Sequence, residues 1–547
     1  MESKDRRWHH PYRAASNYQK KVAYFSMELG IDQALNIYSG GLGFLAGSHL
    51  RSAYELKQNM IGISMLWKYG YYDQARNQDQ SLKVEFNEKH YDFLEDTGIE
   101  VKVQLHQNPH VKVRAYVLKP EIFGTVPVYL LSTDVEGNDH LSRTITNHLY
   151  DANEVTRVSQ SIVLGVGGFK VVEQLGGAEV YHLNEGHALP AFYYLRDKGV
   201  PQQQMVFTTH TPEKAGNEER DAAHLNRCGF FGRQLSQAEL DQEVVHDYKI
   251  NYTVAALAMA GKTNAVSKLH AEVSRRMWGN YQHGSDIMAI TNSQNQKYWQ
   301  DLGIKEAWKE RDESAFRSRK KRLKKQLFKE VFAQTGKQFD PEVLTLVWAR
   351  RFAGYKRADL LLRDFERFKK LLHNPDYPIQ VIWAGKPYPY DYEAINTFNH
   401  LIDVSKQLNN MAVLTGYELA LSRSLKYGSD LWLNTPRITR EASGTSGMTA
   451  AMNGSVNLSI NDGWMPEFAK DKQNCFLLPA LDPQLPVGEQ DRLDAENLYR
   501  KLEEKVIPLY YGQPKEWNKI VFKAIDDVIP EFTSARMAKE YYEKLYR

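Results

Sequence analysis

The chain is poor in cysteine: only Cys228 and Cys475 occur, far apart in sequence and without a partner motif. That excludes a disulfide scaffold and a cysteine-based zinc site, and it suits a reducing compartment. An excess of charge is also lacking. Lys+Arg 70 against Asp+Glu 67 leaves a formal net charge of +3, so no global field argues for nucleic acid or a membrane as partner. No run of about 18 apolar residues occurs, which excludes a membrane-spanning helix. The first residues, MESKDRRWHHPYR, hold no apolar segment, so no signal peptide is expected and the expected location is cytoplasmic.

At 547 residues the chain exceeds one ordinary core, and two domains of ~200–300 residues are expected. Its 32 tyrosines and 10 tryptophans supply faces that stack on pyranose rings, although composition alone fits core and surface filler as well. Short apolar runs recur, each followed by a turn and a helical pattern. They are Val22–Glu28, Ile61–Trp67, Val126–Ser132, Val180–Asn184, Met205–His210 and Thr263–Ser267, then Ile287–Asn292, Leu344–Arg350, Ile379–Ala384, Met411–Thr415, Leu431–Asn434 and Val456–Ile460. Near-continuous apolar strands separated by helices predict parallel sheets covered on both faces, here two doubly wound α/β units.

Glu100–Lys119 alternates polar and apolar residues around Asn108-Pro109, the pattern of an antiparallel hairpin inserted in the first domain. The basic segment Arg317–Lys329 places Leu323, Leu327, Val331 and Phe332 at helical spacing, which predicts a surface helix with a solvated basic face. A last helix is predicted over Thr533–Arg547, with Met537, Tyr541 and Leu545 on one face.

Three constellations carry chemistry. Ser39–Gly43 (SGGLG) precedes a helical pattern, and its glycines allow close backbone approach to a ligand at a helix start. Arg350-Arg351-Phe-Ala-Gly-Tyr355-Lys356-Arg357 follows the strand at Leu344–Trp348 and puts four cations where open α/β sheets bind ligands, which predicts an anion. Glu441-Ala-Ser443-Gly444-Thr445-Ser-Gly-Met448-Thr449 offers small residues at a helix start beside a carboxylate suited to sugar hydroxyls. Two strand ends bear histidines, His182 to His187 and Thr208 to Pro212. No third metal ligand stands at a recognised spacing, so no metal is expected, and orienting a ring hydroxyl is the better use.

Taken in order, Ser39–Gly43, Tyr181–His187 (YHLNEGH), Val206–Asn217 (VFTTHTPEKAGN), Val266–Met277 (VSKLHAEVSRRM), Ala349–Arg357 (ARRFAGYKR) and Arg440–Gly454 resemble the bacterial short form of α-glucan (glycogen/starch) phosphorylase. The resemblance runs from about Val22 to Trp464. It implies the GT-B fold, two Rossmann-like domains facing across a cleft: an N-terminal domain over 1–291 on the acceptor side, a C-terminal one over 292–525 on the donor side, and a terminal segment 526–547 crossing back to the first. It implies that Gly40, Gly41 and Leu42 lie beside the phosphate. Asn292, His210, His187 and Glu441 contact the sugar, with Ser443, Gly444 and Thr445 supplying polar contacts. Arg351 and Lys356 hold the phosphate, and Tyr355 and Trp299 line the site. Catalytic roles fall to Arg351, Lys356, His210 and Glu441. A homodimer is common in the family.

One departure matters most. The family holds pyridoxal 5′-phosphate as a Schiff base on the lysine after the Met of the Glu-Ala-Ser-Gly-Thr motif, and here that position is Thr449. A hydroxyl forms no imine, so no covalent cofactor is expected there. Glu213-Lys214 and Asn292-Ser293-Gln294 also differ from the family's pattern. Three functions stay open on the sequence: a retaining α-glucosyltransferase with a nucleotide-diphosphate glucose donor, a phosphorylase with non-covalent or no pyridoxal phosphate, and a non-catalytic glucan-binding paralogue.

Overall fold

The computed structural model describes residues 8–105, 108–212, 217–244, 247–281 and 284–547. The chain forms two compact units. Its strands are β1 (Val22–Phe25), β2 (Met60–Met65), β3 (Asp73–Arg76), β4 (Leu82–Glu85), β5 (Glu95–Leu105), β6 (Asn108–Leu118), β7 (Val128–Ser132), β8 (Val180–Asn184), β9 (Met205–Thr208) and β10 (Glu219–Asp221). There follow β11 (Lys249–Asn251), β12 (Lys262–Ala265), β13 (Ile287–Ala289), β14 (Leu344–Ala349), β15 (Ile379–Ala384), β16 (Met411–Leu414), β17 (Leu431–Asn434), β18 (Val456–Ser459) and β19 (Cys475–Leu477).

The first unit comprises Met1–Tyr72, Phe86–Thr291 and Ser534–Arg547. Its nine-stranded sheet runs β13-β12-β9-β8-β1-β2-β7-β6-β5, parallel from β13 to β7 and antiparallel thereafter. The central strands β1, β2, β7 and β8 are buried along their whole length, as apolar runs between two helical layers must be. The hairpin β5–β6 is antiparallel, but it prolongs the main sheet at one edge rather than standing apart as an insertion, and it begins at Glu95. Its alternating Val101, Val103, Val111 and Val113 are buried, so one face is covered.

The terminal segment joins this unit through buried polar links. Ser534 Oγ donates to Ser48 O at 3.1 Å and meets Ser52 Oγ at 2.6 Å, and Tyr546 OH meets His182 Nδ1 at 2.7 Å. The crossing point is later than the sequence suggests. Residues 526–531 belong to helix Pro514–Glu531, whose Ile520, Val521, Ala524, Ile525 and Val528 are buried in the second unit. Only from Ser534 does the chain rejoin the first.

The second unit comprises Asp73–Glu85 and Asn292–Thr533, with a six-stranded parallel sheet in the order β16-β15-β14-β17-β18-β19. The hairpin β3–β4 lies here although its sequence neighbours lie in the first unit, which corrects the expectation of one continuous block over 1–291. Gln74 Nε2 donates to Gly385 O at 2.8 Å and Leu82 N to Asn399 Oδ1 at 2.8 Å, holding it on the β15 side.

The basic segment lies in helix Glu313–Thr335, capped by Asp312 and ended by Gly336. Two of its lysines are not solvated. Lys320 donates to Asn453 O at 3.0 Å, and Lys324 pairs with Asp430 and donates to Val343 O at 2.7 Å. Phe332 points outward, 52% exposed, while Phe316 and Phe328 take the core positions. The helix buries the aliphatic stems of these lysines and meets their heads with carbonyls and a carboxylate, which makes that burial tolerable.

Candidate active site

In the first unit the carboxyl ends of β1, β8 and β9 gather the polar groups. Glu185, just past β8, has a positive φ of 73°. Its carboxylate compensates by accepting from Gly186 N at 3.1 Å, His210 N at 2.8 Å and Thr211 Oγ1 at 3.2 Å. His210 Nε2 meets Asn184 Oδ1 at 2.7 Å, so His210, Asn184 and Glu185 form one cluster. Burial drives the His210 imidazole down to about 3 and His187 down to about 4, which keeps both neutral. His187 packs on Tyr150 at 5.5 Å and its Nδ1 is buried without a hydrogen-bond partner.

The glycine loop is organised by a residue that its motif did not reveal. Glu28, beyond β1, accepts from Ser39 N at 2.7 Å, Gly40 N at 3.2 Å and Tyr150 OH at 2.7 Å. The amides of Ser39 and Gly40 are therefore given to a carboxylate. Gly40 is buried, Leu42 half-buried and Gly41 exposed at the start of helix Gly41–Glu55. A Cβ on Gly40 or Gly41 would meet nothing within 4 Å, so open space lies beside the loop.

In the second unit the ends of β14 and β17 carry the charge. Lys356 Nζ donates to Glu441 Oε2 at 2.9 Å and to Oε1 at 3.2 Å. Arg350 is buried, donates to Asn434 Oδ1 and reaches Glu441 Oε2 at 3.5 Å. Burial works to raise the Glu441 carboxyl, but Lys356 and Arg350 outweigh it and hold it below the ordinary range, with Arg351 contributing. Arg351 itself is exposed. Arg357 faces the interior instead. It donates to Thr435 O, Pro436 O, Asp491 and Asp494, so the fourth cation of the motif is a structural strut.

Past Glu441, Gly444 has φ 83° and Gly463 has φ 63°. A Cβ on Gly463 would lie 2.4 Å from Ser443 O, so glycine lets the two loops close on each other. Asp462 ties them, accepting from Glu441 N at 2.9 Å and Gly463 N at 2.8 Å. Burial pushes the Asp462 carboxyl up to about 7, opposite to Glu441. Thr445 Oγ1 accepts from Gln294 Nε2 at 2.9 Å. Asn292 Oδ1 and Ser443 Oγ are buried without a partner, two polar atoms suited to a ligand. Tyr355 is half-buried, its ring 5.1 Å from the Lys356 ammonium. Trp299 is 1% exposed with the Lys426 ammonium 3.8 Å from its ring centroid, so it is a wall of the core. Glu213 and Lys214 lie outside the described residues.

The residues at Thr449 do not fit covalent pyridoxal phosphate. Thr449 is fully buried and its hydroxyl donates to Ser446 O at 3.0 Å within its own helix. It has no amine, and its oxygen is engaged by backbone.

Sheets of this kind, with polar clusters at the carboxyl ends of their strands, define an α/β protein, and those ends are where open α/β sheets as a class place their ligand sites. A profile of the family described as Carbohydrate phosphorylase matches residues 287–504. Maltodextrin phosphorylase of Thermococcus litoralis is 34% identical over 97% of this chain and 71% of its own length. Glycogen phosphorylase of Aquifex aeolicus is 31% identical over 97% of this chain and 86% of its own. A protein of Methanocaldococcus jannaschii, described only as uncharacterized, is 46% identical over 96% of this chain and its full length. The chain belongs to the carbohydrate phosphorylase family, and its α/β architecture with large parallel sheets agrees with that membership. Among the described residues, no helix is long and apolar enough to cross a membrane.

Proposed function

We propose that the protein is a retaining α-glucosyltransferase of GT-B type that acts on α-1,4-glucan or maltooligosaccharide without covalent pyridoxal phosphate. Its donor is a glucose carrying its own phosphate, with a nucleotide-diphosphate glucose as the first choice. One observation carries this reading: Lys356 and Arg350 pair with Glu441, with the exposed Arg351 near enough to help lower its carboxyl, while Thr449 has no imine-forming group. A donor that brings phosphate explains why the cations remain when the cofactor lysine does not. In transfer, the bond from C1 to the phosphate oxygen breaks with its electron pair passing to that oxygen. The acceptor hydroxyl oxygen bonds to C1 on the same face, and its proton leaves on the phosphate. Arg351 and Lys356 stabilise the departing charge, and no protein nucleophile is needed.

A second reading, phosphorolysis to glucose 1-phosphate, is favoured by the names of the T. litoralis and A. aeolicus relatives. Glucose transfer to maltooligosaccharide from nucleotide-diphosphate glucose, and from glucose 1-phosphate, separates the two. Lys356→Ala is expected to lower transfer about 100-fold, the cost of one lost charge-stabilising group. Transfer from neither donor overturns the proposal. An acid-released pyridoxal absorbance band from the purified protein favours the second reading instead.

A further inference from the structure

The loop after β15 reads Lys386-Pro387-Tyr388-Pro389-Tyr390-Asp391-Tyr392, three tyrosines at alternate positions. Large exposed apolar side chains scattered singly are ordinary, but a cluster of them marks a binding surface. Here Tyr390 is 50% and Tyr392 72% exposed, and Tyr388 is half-buried with its ring 5.5 Å from that of Tyr390. Past Gly385 the loop holds no glycine, and five devices fix it. Pro387 and Pro389 set the backbone on either side of Tyr388. Phe352 and Pro387 form a parallel bridge. Lys386 Nζ donates to Glu418 Oε1 at 2.9 Å, and Asp391 N donates to Tyr388 O at 2.9 Å. Asp391 then caps helix Tyr392–Lys406 by accepting from Ala394 N at 3.0 Å. Rigid aromatic rings held toward solvent lose little entropy when a ligand covers them.

We propose that Tyr388, Tyr390 and Tyr392 form a stacking platform for a linear α-1,4-glucan chain. A pyranose ring has an apolar C–H face that lies flat on an aromatic face and a hydroxyl rim that needs polar neighbours. Both are available: the rings with their phenol hydroxyls, and the exposed Glu393, Asn396 and His400 on the helix that Tyr392 begins. A docked protein would need a wider apolar surface than this island provides. The Phe352–Pro387 bridge ties the platform's loop to the segment that carries Arg350 and Lys356 in the same unit. The choice of glucan rests on the function proposed above, whereas the platform's own test does not depend on turnover.

That test is binding of maltoheptaose by titration calorimetry, with retardation in amylose-containing gels as a second readout. Tyr390→Ala/Tyr392→Ala is expected to bind about tenfold more weakly, because two stacking faces are removed. Tyr390→Phe/Tyr392→Phe should stay within about twofold, and Leu302→Ala, at another exposed apolar residue, should match wild type. Equal binding by the double alanine variant, an equal loss in Leu302→Ala, or a wild type that binds no maltoheptaose overturns the platform. Tyrosine-dependent binding by a protein that transfers glucose from neither donor would sink the proposed function and leave the platform standing. Transfer with unchanged binding by the double alanine variant would do the reverse.

Discussion

The strand ends of the two units solve one problem in opposite ways. Both bury polar side chains where a ligand is expected. In the first unit the imidazoles give up their charge: His210 and His187, with His49 in helix Gly41–Glu55, are driven far below the ordinary range and stay neutral. In the second unit charge is kept and paired, with Lys356 and Arg350 on Glu441 and Arg357 on Asp491 and Asp494. A neutral, hydrogen-bonding surface suits sugar hydroxyls, and a concentration of fixed cations suits phosphate.

The largest effect that separates the two strategies is pH. A histidine whose folded pKa is lowered leaves the unfolded state holding more protons below about 6.5, so stability is lost as pH falls through that value. By pH 5 the cost is about 2 kcal/mol for each of His210, His187 and His49. Asp462 works the other way. Its folded pKa is raised to about 7, so its contribution is fully present below about 4 and lost as pH rises to 7, at most about 4 kcal/mol. Hydrogen exchange at pH 5 and pH 7, corrected for intrinsic rates, should show β8 and β9 losing protection at pH 5. Strands β17 and β18 should hold theirs, and Asp462→Asn should flatten their dependence between pH 4 and 7. Parallel loss in both units would break the comparison.

A sharper cut lies within the cationic motif. Arg357 is 2% exposed and bound to two carboxylates and two carbonyls, so Arg357→Ala strands buried Asp494, while Asp491 keeps Arg437 and Arg363. The expected loss is about 3–5 kcal/mol, read as a fall in Tm. Arg351→Ala removes an exposed cation and should change Tm little, its effect falling on anion binding. Equal destabilisation by the two would show that the motif holds the fold at both positions.

This split is also where the sequence stops being legible. Each of the twelve apolar runs overlaps a strand, because a continuous buried run has few other uses. The hairpin β3–β4 carries no such signal: β3 is mostly polar and half-buried, β4 offers only Leu82 and Val84, and its place in the second unit depends on partners more than 300 residues away, such as Gln74 with Gly385. The motif Arg350–Arg357 announces an anion, but spacing does not say which guanidinium turns inward. The buried, partly paired Arg350 and the strut Arg357 emerge only from their acceptors on β17 and on helix Val487–Lys501. Glu28 and Asp462 leave a faint signal, a carboxylate next to a strand end. What they hold lies on distant loops.

The smallest effect concerns Thr449, the position on which the reaction class turns. Its hydroxyl donates to Ser446 O, three residues earlier in the same helix, and its backbone carbonyl accepts from Asn453 Nδ2 at 2.8 Å. Such a back-bonded hydroxyl contributes little to helix stability, and valine has nearly the same shape. Thr449→Val therefore removes one hydrogen bond and strands no donor, for an expected cost of about 0.5–1 kcal/mol in urea unfolding. Glucosyl transfer should stay within about twofold of wild type, because the hydroxyl is engaged by backbone. A fall of ~100-fold in transfer with stability unchanged would give that hydroxyl a catalytic task and would bring the charged strand end and the interior of its helix into one site.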